Sequence, residues 1–127
     1  MEKRLSGKRA MKTIFVCILA SSLSFASLSP RLLSLEVSGN KVEPGGRLFL
    51  RYRFQNVGGE DETNYRIFAH ARIKGTDEGF GGDFSPFYPT SRWRKGEIVD
   101  ESSVLDSPSD ARKGEYVLYI GFYDGKG

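Results

Sequence analysis

The chain has 127 residues, of which 39% are hydrophobic, 28% charged and 13% aromatic. That is material for one folded domain and too little for two, and the composition is that of a globular chain, not a disordered one. A single His and a single Cys exclude most zinc sites and most nucleophile–base arrangements, because both draw on those residue types.

The formal net charge of +3 has a local origin. Lys3, Arg4, Lys8, Arg9 and Lys12 precede the apolar run Ile14-Phe15-Val16-Cys17-Ile18-Leu19-Ala20, which thins through Leu23 and Phe25 and ends at Ser24-Phe25-Ala26. A basic start, an apolar run and a small-x-small ending make the pattern of a secretory leader. The apolar stretch falls short of the roughly 20 residues of a spanning helix, although retention as an anchor is the alternative. Met11-Lys12 offers a second start for the same leader. The sequence thus predicts a leader over residues 1–26, cleavage after Ala26, and a secreted or periplasmic product with no membrane insertion after cleavage. The leader carries five of the 19 Lys+Arg and one of the 16 Asp+Glu, Glu2, which leaves 14 against 15, a net charge of −1. The basic balance therefore gives no sign of nucleic acid binding. Cys17 goes with the leader, so no thiol, disulfide or cofactor is expected in the mature chain.

Residues 27–31 read as a short linker before a domain over 32–127. Leu33-Ser34-Leu35-Glu36-Val37-Ser38 alternates apolar and polar, the period of a half-buried strand. Gly39-Asn40 and Pro44-Gly45-Gly46 signal turns. A second strand is expected over 47–55, with Leu48, Leu50, Tyr52 and Phe54 on one face. The acidic run Glu60-Asp61-Glu62 reads as a solvated loop. A third strand is expected over 65–73, with Ile67, Ala69, Ala71 and Ile73 facing one way and Arg66, Phe68, His70 and Arg72 the other. Residues 74–95 are rich in Gly, contain Pro, and lack helical periodicity. A weaker strand is expected over 97–105 and a last one over 115–123, with Tyr116, Leu118, Ile120 and Phe122 on one face. Short alternating runs parted by turn residues, without an amphipathic helix, predict an all-β, antiparallel β-sandwich.

Gly114-Glu115-Tyr116-Val117-Leu118, with Asp110 upstream, suits a tyrosine corner, in which a Tyr at the start of the sixth strand bonds back to the upstream backbone. A plain strand tyrosine is the alternative. Further residues then carry a resemblance in their order: Pro44-Gly45-Gly46, Tyr52-x-Phe54-x-Asn56-x-Gly58, Phe68-x-His70, Asp83-x-x-Pro86, Pro89-Thr90-x-x-Trp93, Gly96-Glu97-x-Val99-Asp100 and Gly114-x-Tyr116-x-Leu118-x-x-Gly121-x-Tyr123-Asp124. Over residues 35–124 the chain resembles the immunoglobulin-like accessory domain of bacterial membrane glycosyltransferase-like and carbohydrate-active proteins. The resemblance implies an immunoglobulin-like sandwich and a non-catalytic role. Such domains run on past the Tyr-Asp pair into an edge strand, whereas Gly125-Lys126-Gly127 follow here. The last edge strand is therefore expected to be missing, leaving strand 115–123 open to a partner or to a second copy.

His70, the only candidate base, lies on a strand between Arg66 and Arg72 and reads as a sheet-face residue. Asp77, Glu78 and Asp83 are the nearest acids for glycoside hydrolysis, and they read equally as solvated. No calcium-loop spacing is present, so catalysis and metal binding are not expected. Binding is. With the third and last strands adjacent, one face would carry Arg66, Phe68, His70, Arg72, Val117, Tyr119 and Tyr123, where rings mixed with Arg can stack on sugars and bond hydroxyls. The expected ligand-binding residues are Phe68, His70, Arg72, Trp93, Tyr119 and Tyr123. Against this, residues 74–95 could fold back and bury the face under Phe87 and Trp93. The expected partner is a glycan or an envelope protein.

Overall fold

The computed structural model of the chain describes residues 2–6, 14–15 and 27–125. Most of the expected leader, with Cys17 and the cleavage point at Ala26, lies outside the described residues. The strands are β1 (Glu2–Ser6), β2 (Ile14–Phe15), β3 (Pro30–Val37), β4 (Arg47–Asn56), β5 (Tyr65–Ile73), β6 (Gly79–Phe84), β7 (Ile98–Asp106) and β8 (Glu115–Asp124), with a 3-10 turn at Thr90–Arg92. They form two antiparallel sheets, β3-β4-β7 and β2-β1-β8-β5-β6. The architecture is a β-sandwich.

Period-two alternation builds the core. Leu48, Leu50, Tyr52 and Phe54 of β4 are buried, as are Ile67, Ala69 and Ala71 of β5 and Tyr116, Leu118, Ile120 and Phe122 of β8. The Phe54 and Phe122 rings make a T-shaped contact with centres 5.0 Å apart, and Trp93 lies 5.9 Å from both. Trp93 is fully buried and its indole N–H donates to the Tyr88 carbonyl at 2.9 Å. The long segment after β5 therefore supplies a core residue and a strand, and does not blanket the outward face. In β3 a bulge between Leu32 and Ser34 turns Leu33 outward, 39% exposed, while Leu35 stays inside. Such a bulge shifts alternation by one residue, which moves the expected face of this strand.

Two expectations of organisation are corrected. Residues 27–31 are not a linker: Leu28 is buried in the core, Val57 N–H donates to the Ser29 carbonyl at 2.9 Å, and Gly59 N–H to the Ser27 carbonyl at 2.7 Å. The edge of β8 is not wholly open either, because β1 pairs with it from Lys3↔Leu118 to Ser6↔Glu115.

The Tyr116 hydroxyl donates to the Arg112 carbonyl at 2.5 Å, the backward bond that a tyrosine corner requires. Tyr116→Phe should cost about 1 kcal/mol, the usual net worth of one such bond. Trp93→Ala should cost about 3–5 kcal/mol, as removing a large buried ring does. Urea unfolding of both variants checks the order; a smaller loss for Trp93→Ala would contradict its place in the core.

Candidate functional site

The outward face of β6-β5-β8 brings together five of the six expected binding residues. Register places Phe68 between Asp83 and Gly121, His70 between Gly81 and Tyr119, Arg72 between Gly79 and Val117, and Arg66 opposite Tyr123. Phe68 and His70 rings are 5.0 Å apart, and Phe68 and Tyr123 rings 6.3 Å apart. Phe68, His70, Arg72, Tyr119 and Tyr123 are all half-buried, so their rings and heads are partly in solvent. Trp93 is the exception and a correction: its ring belongs to the core, packed against Phe54 and Phe122, and is out of reach of any ligand.

A hydrogen-bond chain runs across this face. His70 Nε2 lies 2.9 Å from Asp83 Oδ1, and the Tyr123 hydroxyl donates to Asp83 Oδ2 at 3.0 Å. A carboxylate accepts only, so His70 carries its proton on Nε2. Its Nδ1 then accepts from the Arg72 guanidinium at 3.4 Å. Arg72 also donates to the Asp77 carbonyl at 3.3 Å, and its head lies 3.7 Å from the Asp77 carboxylate. Desolvation, and then the bond to Asp83, push the Tyr123 hydroxyl above its ordinary pKa, so it acts as a donor throughout the physiological range. Arg66 Nε is buried with no hydrogen-bond partner among the described residues.

Asp83, Gly79 and Gly81 were not among the expected binding residues, and β6 was not expected as a strand. Its three glycines hid the alternation Phe80-x-Gly82-x-Phe84, which was the available signal. A Cβ on Gly81 would run into the His70 ring, and one on Gly79 into the Ala71 carbonyl. The bare glycine row leaves a cleft of ≈ 490 Å³ lined by His70, Arg72, Asp77, Phe80 and Asp83 together with both glycines.

A second cleft of ≈ 550 Å³ lies on the other side of β6, toward β7, and Asp83 lines it too, with Arg51, Phe87, Asp100 and Ser102. Phe87 at its lip is 97% exposed. Its backbone is nonetheless fixed: the buried Glu101 carboxylate accepts from the N–H groups of Phe87 at 2.7 Å and Tyr88 at 3.1 Å.

Compared with protein-family models, with curated proteins and with solved structures, the chain matches none.

Gly81→Ala should drive the His70 ring off Asp83 and lower stability by about 1–3 kcal/mol, the usual cost of overpacking. The imidazole nitrogen resonances of His70 check this; an unchanged Nε2–H signal would contradict the geometry.

Proposed function

We propose that the chain is an exported, non-catalytic, immunoglobulin-like module that binds a glycan at the cell envelope through the outward β6-β5-β8 face. The observation that carries this reading is one sheet face on which Phe68, Tyr119 and Tyr123 stand beside Arg72, His70 and Asp83, the last three lining a cleft. A pyranose offers a face of C–H groups that stacks on a ring, and a rim of hydroxyls that pairs with guanidinium and carboxylate. Both kinds of partner are in place, and His70, Arg72, Asp83 and Tyr123 are joined to one another by hydrogen bonds.

The immunoglobulin-like element is supported by the strand order, in which the chain passes from β3 and β4 in one sheet to β5 and β6 in the other, returns for β7 and crosses again for β8, and by the bond from Tyr116 to the upstream backbone. Binding in preference to turnover is supported by His70, whose ring nitrogens face Asp83 and Arg72, which leaves no histidine base poised over a nucleophile among the described residues. Export is supported by the basic, apolar and small-x-small order of residues 1–26.

A test uses affinity electrophoresis against a panel of neutral and acidic polysaccharides. Arg72→Ala and Tyr123→Ala should each weaken the retained glycan by about 2–10-fold, the worth of one stacking or charged contact, while the melting temperature moves little. If the parent protein is retarded by no polysaccharide, the glycan reading is overturned.

A second reading is a protein-interaction module working through the β8 edge. The pairing of Glu2–Ser6 with β8 favours it, because that edge accepts an antiparallel strand and would be vacated if residues 1–26 were removed. An exposed edge of this kind templates strand addition. On this reading a chain starting at Ser27 self-associates in light scattering over a concentration series, and Tyr119→Pro suppresses it; a monomer at every concentration argues against it.

A further inference from the structure

We infer that Asp61 is the seat of the mature chain's α-ammonium group, formed when the bond between Ala26 and Ser27 is hydrolysed. The inference rests on the export reading above and is independent of the glycan. Two separate observations meet at this bond. The sequence ends its leader pattern at Ser24-Phe25-Ala26. In the fold, Ser27 is clamped on both sides: its backbone nitrogen lies 3.1 Å from Asp61 Oδ2 and its carbonyl accepts from Gly59 N–H at 2.7 Å. Gly58 permits this approach, because a Cβ there would strike the Ser27 carbonyl. Leu28, the next residue, is already core.

Asp61 is built for the role. Its Oδ1 accepts from Thr63 N–H at 2.9 Å, and the Tyr65 hydroxyl donates to Oδ2 at 3.3 Å. Burial alone would raise its pKa, but the bonds from Thr63, Leu28 and Tyr65 outweigh burial and hold it below the usual carboxylate range. It is thus a fixed negative charge. In the uncleaved chain Ser27 offers it a neutral amide N–H. Hydrolysis adds water across the Ala26–Ser27 peptide bond, leaves the carboxylate on Ala26, and puts a protonated amine at the same spot. The existing bond becomes charge-assisted, which about doubles its strength. Glu60 and Glu62 flank Asp61 in sequence and add no cation to compete with the amine.

Among the described residues the core side chains lie at Leu28 and beyond, and a chain starting at Ser27 keeps all of these. The experiment compares such a chain, released with a free Ser27 amine, with one carrying Gly-Ser-Gly before Ser27 and with one whose Ser27 amine is acetylated. Each is made with Asp61 and with the substitution Asp61→Asn. With Asp61 the free amine should melt about 4 °C above the other two, the scale expected for one charged contact in a domain of this size. In the Asp61→Asn background the three should melt together. Equal melting of all three Asp61 chains overturns the seat, and so does a difference that persists after Asp61→Asn. The exported protein is sequenced from its N-terminus in parallel. A Ser27 start with no coupling sinks the seat alone; a start elsewhere sinks the processing site, and the seat with it, while failure to recover any exported protein sinks the export reading, whatever the melting data.

Discussion

Phe122 of β8 packs against Phe54 of β4 in a T-shaped contact with ring centres 5.0 Å apart, and Trp93 lies 5.9 Å from each. This contact joins the two sheets, and much of the rest is placed by it. Trp93 comes from the connection between β6 and β7, so that connection must dip into the core before β7 begins. In doing so it brings Thr90 against the start of β5, where the threonine hydroxyl accepts from Tyr65 N–H at 2.8 Å and donates to the Thr63 carbonyl at 3.0 Å. It also draws Phe87 and Tyr88 over Glu101. Because successive strand residues point to opposite faces, fixing Ile67, Ala69, Leu118, Ile120 and Phe122 inward fixes Phe68, His70, Tyr119 and Tyr123 outward.

Buried polar side chains then hold the loops at the ends of the sandwich. Asn56 is fully buried and uses both ends of its amide: Oδ1 accepts from Ser29 and Gly58 N–H, and Nδ2 donates to the Gly59 and Arg94 carbonyls. A buried group left without partners would cost about 1–3 kcal/mol, so each of these bonds excludes alternative loop paths. The outer face of β4 and β7 is the contrast. Arg47–Asp106 and Arg53–Asp100 pair across the strands there with more than half of each side chain in solvent. Pairs so exposed contribute little to stability.

The strands with clean alternation were legible in the sequence: β4, β5 and β8 emerge within a residue or two of their expected bounds. β7 read weakly because two of its inward positions are polar, Glu101 serving the loop above it and Ser103 the Tyr52 hydroxyl at 2.7 Å. No local pattern announces such long-range partners. β6 was illegible because glycine carries neither β-propensity nor polarity, and the reason for its glycines, the ring of His70 and the carbonyl of Ala71, lies on another strand. The candidate face was legible from alternation on two strands once their adjacency was assumed. Trp93 was misplaced because aromatic composition does not distinguish a core ring from a platform ring. Asp61 read as one acid in a solvated run, and its bonds to Ser27, Thr63 and Tyr65 depend on how the chain closes.

Glycine in a strand interior forfeits side-chain packing and carries an entropy cost of roughly 0.5–1 kcal/mol relative to alanine. β6 carries Gly79, Gly81 and Gly82 in six residues. At the edge of a sheet that loss is unrewarded by any added pairing. What the glycines do provide is a floor low enough for the His70 ring to lie across and for Asp83 to reach both His70 and Tyr123. The result is a face on which His70, Asp83 and Tyr123 hold one another in place, so that less conformational freedom would be lost if the proposed glycan bound there. Places where a chain departs from its locally best residue choice tend to be places where it does something other than fold. By that criterion β6 and the face beside it, and not the ion-paired face of β4 and β7, are the side of the sandwich on which the proposed glycan would bind.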